Sequence, residues 1–157
     1  MLEAALRADA VILMHMGGKS PRTMQDDPSY GDVVKEVKDF LRSRIDSFAR
    51  AGGDANRVLV DPGIGFGKDL GHNLALIKRL DEFREIGPVV LGASRKSFIR
   101  RVLAEEGGAL PGPEEGLEGS LAVACWAALR GVSVLRVHDV RATCRALEVL
   151  AAVQGAA

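Results

Sequence analysis

Four short apolar runs, Val11-Ile12-Leu13-Met14, Val58-Leu59-Val60, Val89-Val90-Leu91 and Val134-Leu135-Arg136-Val137, alternate with longer stretches whose apolar residues recur at helical spacing. Continuous β-branched runs, rather than in/out alternation, suit parallel strands covered on both faces. Between the first two runs Val33, Val37, Phe40, Leu41, Ile45 and Phe48 predict a helix, stopped by Gly52-Gly53. Leu74, Ile77, Leu80 and Phe83 predict another, ended by Gly87-Pro88, and the third run leads into Phe98, Ile99, Val102 and Leu103. Residues 107–116, rich in Gly, Pro and Glu, read as an exposed loop. Helices are expected over residues 121–129 and 141–153, and residues 2–8 read as the tail of a helix entering the first strand. The sum is four βα units with one extra helix, and right-handed crossovers turn it into an α/β fold with a parallel sheet and outer helices. An open doubly wound sheet and part of a (β/α)₈ barrel both fit. At 157 residues the chain is well short of the roughly 250 of a complete barrel.

Charge excludes whole classes of partner. Lys plus Arg equals Asp plus Glu, 21 each, so no global field draws the chain to nucleic acid or to an anionic membrane. An anion must then be held by local geometry. No apolar run approaches the roughly 20 residues that span a bilayer, and the first seven residues lack the features of a signal peptide. Cys125 and Cys144 are too few for a disulfide framework, so a reduced, cytoplasmic setting is expected. His15, His72 and His138 lie at unrelated spacings, which gives a zinc site little support.

Each apolar run ends in polar residues: His15-Met16-Gly17-Gly18, Asp61, Ser94-Arg95-Lys96, and Arg136 with His138-Asp139. In parallel α/β folds these C-terminal strand ends converge on the ligand site. A lone Asp61-Pro62-Gly63 would read as a carboxylate capping its own turn. Here the turn continues as Ile64-Gly65-Phe66-Gly67-Lys68, whose alternate glycines let backbone pass close to a flat ligand and leave Phe66 as a stacking face or lid. A buried carboxylate there can accept two N–H bonds from an amidine-like edge such as that of a pterin. The loop is neither a Walker A motif, because Pro62 and Asp69 stand where Gly and Ser/Thr are needed, nor a dinucleotide fingerprint.

Lys96, immediately after a buried run, is placed to reach inward, whereas an Arg-Lys pair in a helix middle would be a solvated face. Arg136 and His138 lie two apart and so point the same way from one strand. A guanidinium fork beside an imidazole suits a diphosphate; the competing reading pairs Arg136 with Asp139. His15 alone reads as a packed, hydrogen-bonded histidine, Met14 and Met16 as core or pocket wall, and Cys125 beside Trp126 as packing. Residues 19–30 form a polar strand-to-helix loop of the kind that moves over a site.

In this order the motifs resemble the dihydropteroate synthases of the pterin-binding barrel family. The resemblance rests on Leu13-Met14-His15-Met16-Gly17 with Thr23-Met24-Gln25, residues 61–68 with Asn73, Gly92-Ala93-Ser94-Arg95-Lys96-Ser97, and Arg136-Val137-His138-Asp139. It implies the second half, strands five to eight, of a (β/α)₈ barrel, with residues 1–157 a partial domain whose N-terminal half is absent and which is inactive alone. It implies an enzyme joining 6-hydroxymethyl-7,8-dihydropterin diphosphate to 4-aminobenzoate, with release of diphosphate. Asp61 and Lys96 would grip the pterin, Met14 and Gly92 would line its slot, and Arg136 and His138 would hold the diphosphate. Phe66, Ser94 and Lys96 would border the aminobenzoate site, where sulfonamides compete. Lys96, Arg136 and His138 are the expected catalytic groups. Mg²⁺ is the expected cofactor, its associated Asn lying in the absent half, and the full-length protein is expected to be a homodimer. The alternatives are a pterin-dependent methyltransferase using methyltetrahydrofolate, which needs no diphosphate grip, and a truncated pterin-binding module without turnover.

Overall fold

The computed structural model describes residues 2–156 apart from 19, 21, 27, 105–108, 110 and 111. Part of the expected 107–116 loop, and positions 19, 21 and 27 of the strand-to-helix loop, therefore lie outside the described residues. Strand β1 (Val11–Met14) runs parallel to β2 (Val58–Asp61), pairing Val11 with Val58 and Met14 with Asp61. Strand β3 (Val90–Leu91) runs parallel to β4 (Val134–Leu135), and a parallel bridge between Val60 and Val89 joins the two pairs. The four strands thus stand side by side in chain order, with no switch point among them. Crossovers of one hand that always step the same way deliver every helix to the same face.

Partners in register share a face of the sheet. Val11, Leu13, Val58, Val60, Val89, Leu91 and Leu135 pack into one core with the helices. The opposite face carries Ile12, Met14, Leu59, Asp61, Val90 and Val134. There Ile12 is 55% exposed, Met14 40% and Val134 42%. Cover on both faces, expected from the β-branched runs, holds for the middle strands, where Asp61 is 7% and Val90 2% exposed, and fails at the outer two, whose second face has no helices.

Helix α1 (Leu2–Arg7) leads into β1, and α2 (Val33–Arg50) follows it. Asp32 caps α2 by accepting from the N–H groups of Val34 and Lys35, and Val34, Val37 and Leu41 are its fully buried stripe. The helix expected through Leu74 and Phe83 is broken. Helix α3 (Leu70–Lys78) stops at Arg79, and a 3₁₀ turn over Leu80–Glu85 replaces its continuation. Leu80 and Phe83 are both fully buried, and a 3₁₀ turn aligns residues three apart. Leu74 is 43% exposed rather than part of the core. Helices α4 (Ser97–Leu103), α5 (Leu117–Leu129) and α6 (Val140–Gln154) complete the outer layer, and Trp126 on α5 donates its indole N–H to the carbonyl of Ile77. Strand β4 ends at Leu135, so Arg136 and Val137 begin the loop beyond it. Among the described residues no helix is long and apolar enough to cross a membrane.

Candidate active site

Asp61 closes β2 and is 7% exposed. One carboxylate oxygen accepts the N–H of Gly63 at 2.7 Å, so the turn-capping role is real. Gly63 has φ +70°, and a Cβ there would lie 1.8 Å from the carbonyl oxygen of His15; only glycine lets β1 and this loop meet. Beyond it, every carbonyl from Gly63 to Gly67 accepts from a side chain. Lys68 Nζ donates to Gly63 O at 3.0 Å and to Phe66 O at 2.9 Å. Lys96 Nζ donates to Ile64 O, Gln25 Nε2 to Gly65 O at 2.6 Å, and the Tyr30 hydroxyl to Gly67 O at 2.8 Å. The N–H of Gly65 donates to Asn73 Oδ1 at 2.7 Å. Phe66 consequently sits on a pinned loop, with the Lys96 ammonium 4.5 Å from its ring centroid, and the lid expectation gives way to a fixed wall.

Burial dominates the charges behind this wall. It pushes the Asp61 carboxyl up, against the Gly63 N–H and the cations Lys96, Arg136 and Lys68, which favour the charged form. It pushes Lys96 down to about 8, opposed by Asp61 and reinforced by Arg136. It pushes Lys68 down to about 7, again opposed by Asp61. His15, packed edge-on against Phe40 with its Nδ1 3.0 Å from Lys68 Nζ, falls to about 4, through burial first and the lysine second. The unfolded chain binds more protons at both lysines between their folded values and about 10.5. Stability therefore rises as pH climbs through that window and is lost as pH falls through about 7 to 8. A urea midpoint higher at pH 9 than at pH 7 is expected, with the difference reduced in Lys68→Met.

Beside the wall a cleft of about 560 Å³ is lined by Gly92, Ser94, Arg95, Lys96, Arg136, Val137 and His138. A Cβ on Gly92 would lie 3.0 Å from Arg136 Nη2, so the missing side chain makes room for the guanidinium. Ser94 Oγ accepts the backbone N–H of His138 at 3.3 Å and lies 3.1 Å from its Nδ1. Arg95 carries φ +57°, unusual for a non-glycine residue, and its guanidinium holds Asp139 through two bonds of 2.7 and 3.0 Å. It also reaches Glu114 at 2.8 Å. Asp139 is thus engaged by Arg95, and the alternative pairing with Arg136 is not found. The Arg136 backbone N–H donates to Leu91 O at 2.9 Å, and its exposed side chain makes no hydrogen bond or salt bridge among the described residues.

The structure brings Asp61, Phe66, Gly92, Ser94, Lys96, Arg136 and His138 to one edge of the sheet, with Met14 paired to Asp61 at the end of β1. Sequence reasoning gave no role to Lys68 or Asn73, or to the Arg95–Asp139 clamp. The only signal for Lys68 was its place at the end of a glycine loop that follows a buried Asp. Among the described residues no group of three His, Cys, Asp or Glu side chains is placed to hold a metal. The cleft's charged side chains, Arg95, Lys96 and Arg136, are cationic, which does not suit Mg²⁺ and its demand for oxygen ligands.

A buried carboxylate, a lysine and a guanidinium without an ion-pair partner among the described residues thus stand at three successive strand ends. Residues 1–138 match the family of pterin binding enzymes, and the chain belongs to that family. It is 44% identical over 153 residues to the dihydropteroate synthase of Escherichia coli strain K12, covering 96% of this chain and 52% of that protein. The Thermus thermophilus dihydropteroate synthase, solved with 4-aminobenzoate, is 43% identical with a TM-score of 0.87, over 98% of this chain and 61% of that one. The Xanthomonas albilineans dihydropteroate synthase, solved with 7,8-dihydropteroate, is 41% identical with a TM-score of 0.86, over 99% of this chain and 55% of that one. The chain spans about half the length of the curated relatives it matches.

Proposed function

We propose that the chain supplies strands five to eight of a (β/α)₈ barrel and, with them, the pterin- and diphosphate-holding part of a dihydropteroate synthase. Strands in chain order, helices on one face and an apolar opposite face support the barrel reading. The observation that carries the function is Lys96, which lines one cleft with Ser94, Arg136 and His138 and also donates to the Ile64 carbonyl of the loop that follows the buried Asp61. Asp61 accepts the donor edge of the pterin, and Met14 and Gly92 flank the ring. Arg136 and His138 take the diphosphate, and Phe66, Ser94 and Lys96 border the 4-aminobenzoate, the compound present in the Thermus relative.

In this reading the bond between the pterin methylene and the diphosphate oxygen breaks first, its electron pair leaving with the diphosphate. Arg136 and His138 stabilise that charge by donating to the departing oxygens. The amino nitrogen of 4-aminobenzoate then bonds to the methylene cation and releases a proton, giving 7,8-dihydropteroate. The charged side chains of this cleft, Arg95, Lys96 and Arg136, are cationic and offer Mg²⁺ no carboxylate, so any ligand for it would come from the other half of the barrel. The pinned Phe66 wall acts by orientation, since it holds one partner in place before the bond forms. The complete protein is read as a homodimer.

Label from ring-¹⁴C 4-aminobenzoate should appear in dihydropteroate when the complete protein is given the pterin diphosphate. A protein that instead moves a methyl group from methyltetrahydrofolate, and leaves the label in aminobenzoate, would overturn the proposal.

A further inference from the structure

Lys68 is 3% exposed and lies outside the cleft just described. A buried ammonium is costly unless all its protons find acceptors. Here Nζ donates to Gly63 O at 3.0 Å and to Phe66 O at 2.9 Å, and it lies within hydrogen-bond distance of His15 Nδ1, 3.0 Å away. The two carbonyls bracket the partly buried turn of the glycine loop, and the imidazole belongs to the end of the neighbouring strand. One side chain therefore ties the start and finish of the Phe66 turn to β1 from inside, while Lys96 reaches the carbonyl of Ile64 between them.

We propose that Lys68 is a positioning residue that sets where the Phe66 ring stands relative to Lys96 and Asp61, acting through the loop rather than by touching a ligand. This rests on the reading of Phe66 as a wall of the aminobenzoate site. The other tethers are of a different kind. Gln25 and Tyr30 each hold one carbonyl from the outer side, Asn73 holds one N–H, and none of them spans the turn.

Lys68→Met keeps the length of the aliphatic stem and removes the two bonds donated to carbonyls together with the contact to His15 Nδ1. It leaves no carbonyl orphaned, because Gly63 O still accepts the Phe66 N–H at 3.1 Å and Phe66 O still accepts the Gly17 N–H at 3.2 Å. The fold should survive while the turn loses its internal tie. The chain has five phenylalanines, so 4-fluorophenylalanine labelling gives five ¹⁹F signals, and Phe66→Leu identifies the relevant one. In Lys68→Met the Phe66 signal should shift and broaden more than the other four. A Phe66 signal unchanged in position and width would overturn the proposal.

If Lys68→Met fails to fold, the wild-type ¹⁵Nζ signal of Lys68 decides. Slow proton exchange with couplings across hydrogen bonds to the carbonyl carbons of Gly63 and Phe66 is expected, and a fast-exchanging ammonium would overturn the role. Neither measurement uses a substrate. A displaced Phe66 with undiminished dihydropteroate synthesis would keep this inference and remove the aminobenzoate wall from the proposed function.

Discussion

Asp61→Asn should weaken binding of the pterin diphosphate by about 2–3 kcal/mol, roughly 30- to 150-fold. The amide is nearly isosteric, and its oxygen can still accept the Gly63 N–H that now stands 2.7 Å from Asp61 Oδ1. The loop should therefore keep its turn. What changes is the outward edge. A carboxylate offers only acceptors to the 2-amino and N3–H edge of a pterin, whereas an amide sets an NH₂ against one of those donors. Burial already disfavours the Asp61 charge, so removing that charge relieves part of a desolvation cost. Unfolding curves beside the binding isotherms separate the two effects. A variant that binds as tightly as wild type would take Asp61 out of the pocket.

Arg136→Met should cost about 2 kcal/mol, roughly 30-fold, in affinity for the diphosphate-bearing pterin and far less for the pterin alcohol that lacks it. The guanidinium stands over Gly92 without an ion-pair partner among the described residues: Asp139 is held by Arg95, and Asp61 is felt only through space, beside the closer cation Lys96. Truncating it leaves no buried partner charge unpaired, so the loss should be confined to the ligand and not spread to the fold. Comparing dissociation constants for the two ligands tests this directly. An equal loss on both would mean that Arg136 holds the ring or the loop rather than the diphosphate.

The strand ends were legible because the sequence states them plainly: an apolar run followed by Asp61, by Ser94-Arg95-Lys96, or by Arg136 and His138. Helix α2 was equally plain, since Val34, Val37 and Leu41 form one stripe and Asp32 caps it. The break at Arg79 was not. Leu74, Ile77, Leu80 and Phe83 fit a helical period on paper, and only the joint burial of Leu80 and Phe83 selects the tighter turn.

Cover on both faces was misread at the two outer strands for a related reason. A β-branched run reports that a strand is apolar on two sides, not that both sides are occupied, and Ile12 and Val134 are apolar yet exposed. Lys68 escaped notice because its two carbonyl acceptors, Gly63 O and Phe66 O, are near in sequence but its third neighbour and its burial come from a distant segment. That neighbour, His15, lies more than fifty residues away in sequence. The Arg95–Asp139 clamp hid the same way, its partners separated by 44 positions. Polar groups at strand ends can be read locally, but the pairings that fix them are tertiary.

The central claim is that the ends of these four strands hold a pterin diphosphate, by the ring at Asp61 and by the anion at Arg136. Its most direct test is a calorimetric titration of 6-hydroxymethyl-7,8-dihydropterin diphosphate into the wild-type protein, Asp61→Asn and Arg136→Met, repeated with the pterin alcohol. The account predicts saturable heat with wild type, weakened for both ligands by Asp61→Asn and for the diphosphate alone by Arg136→Met. No heat with wild type, or three superimposable titrations, would contradict it.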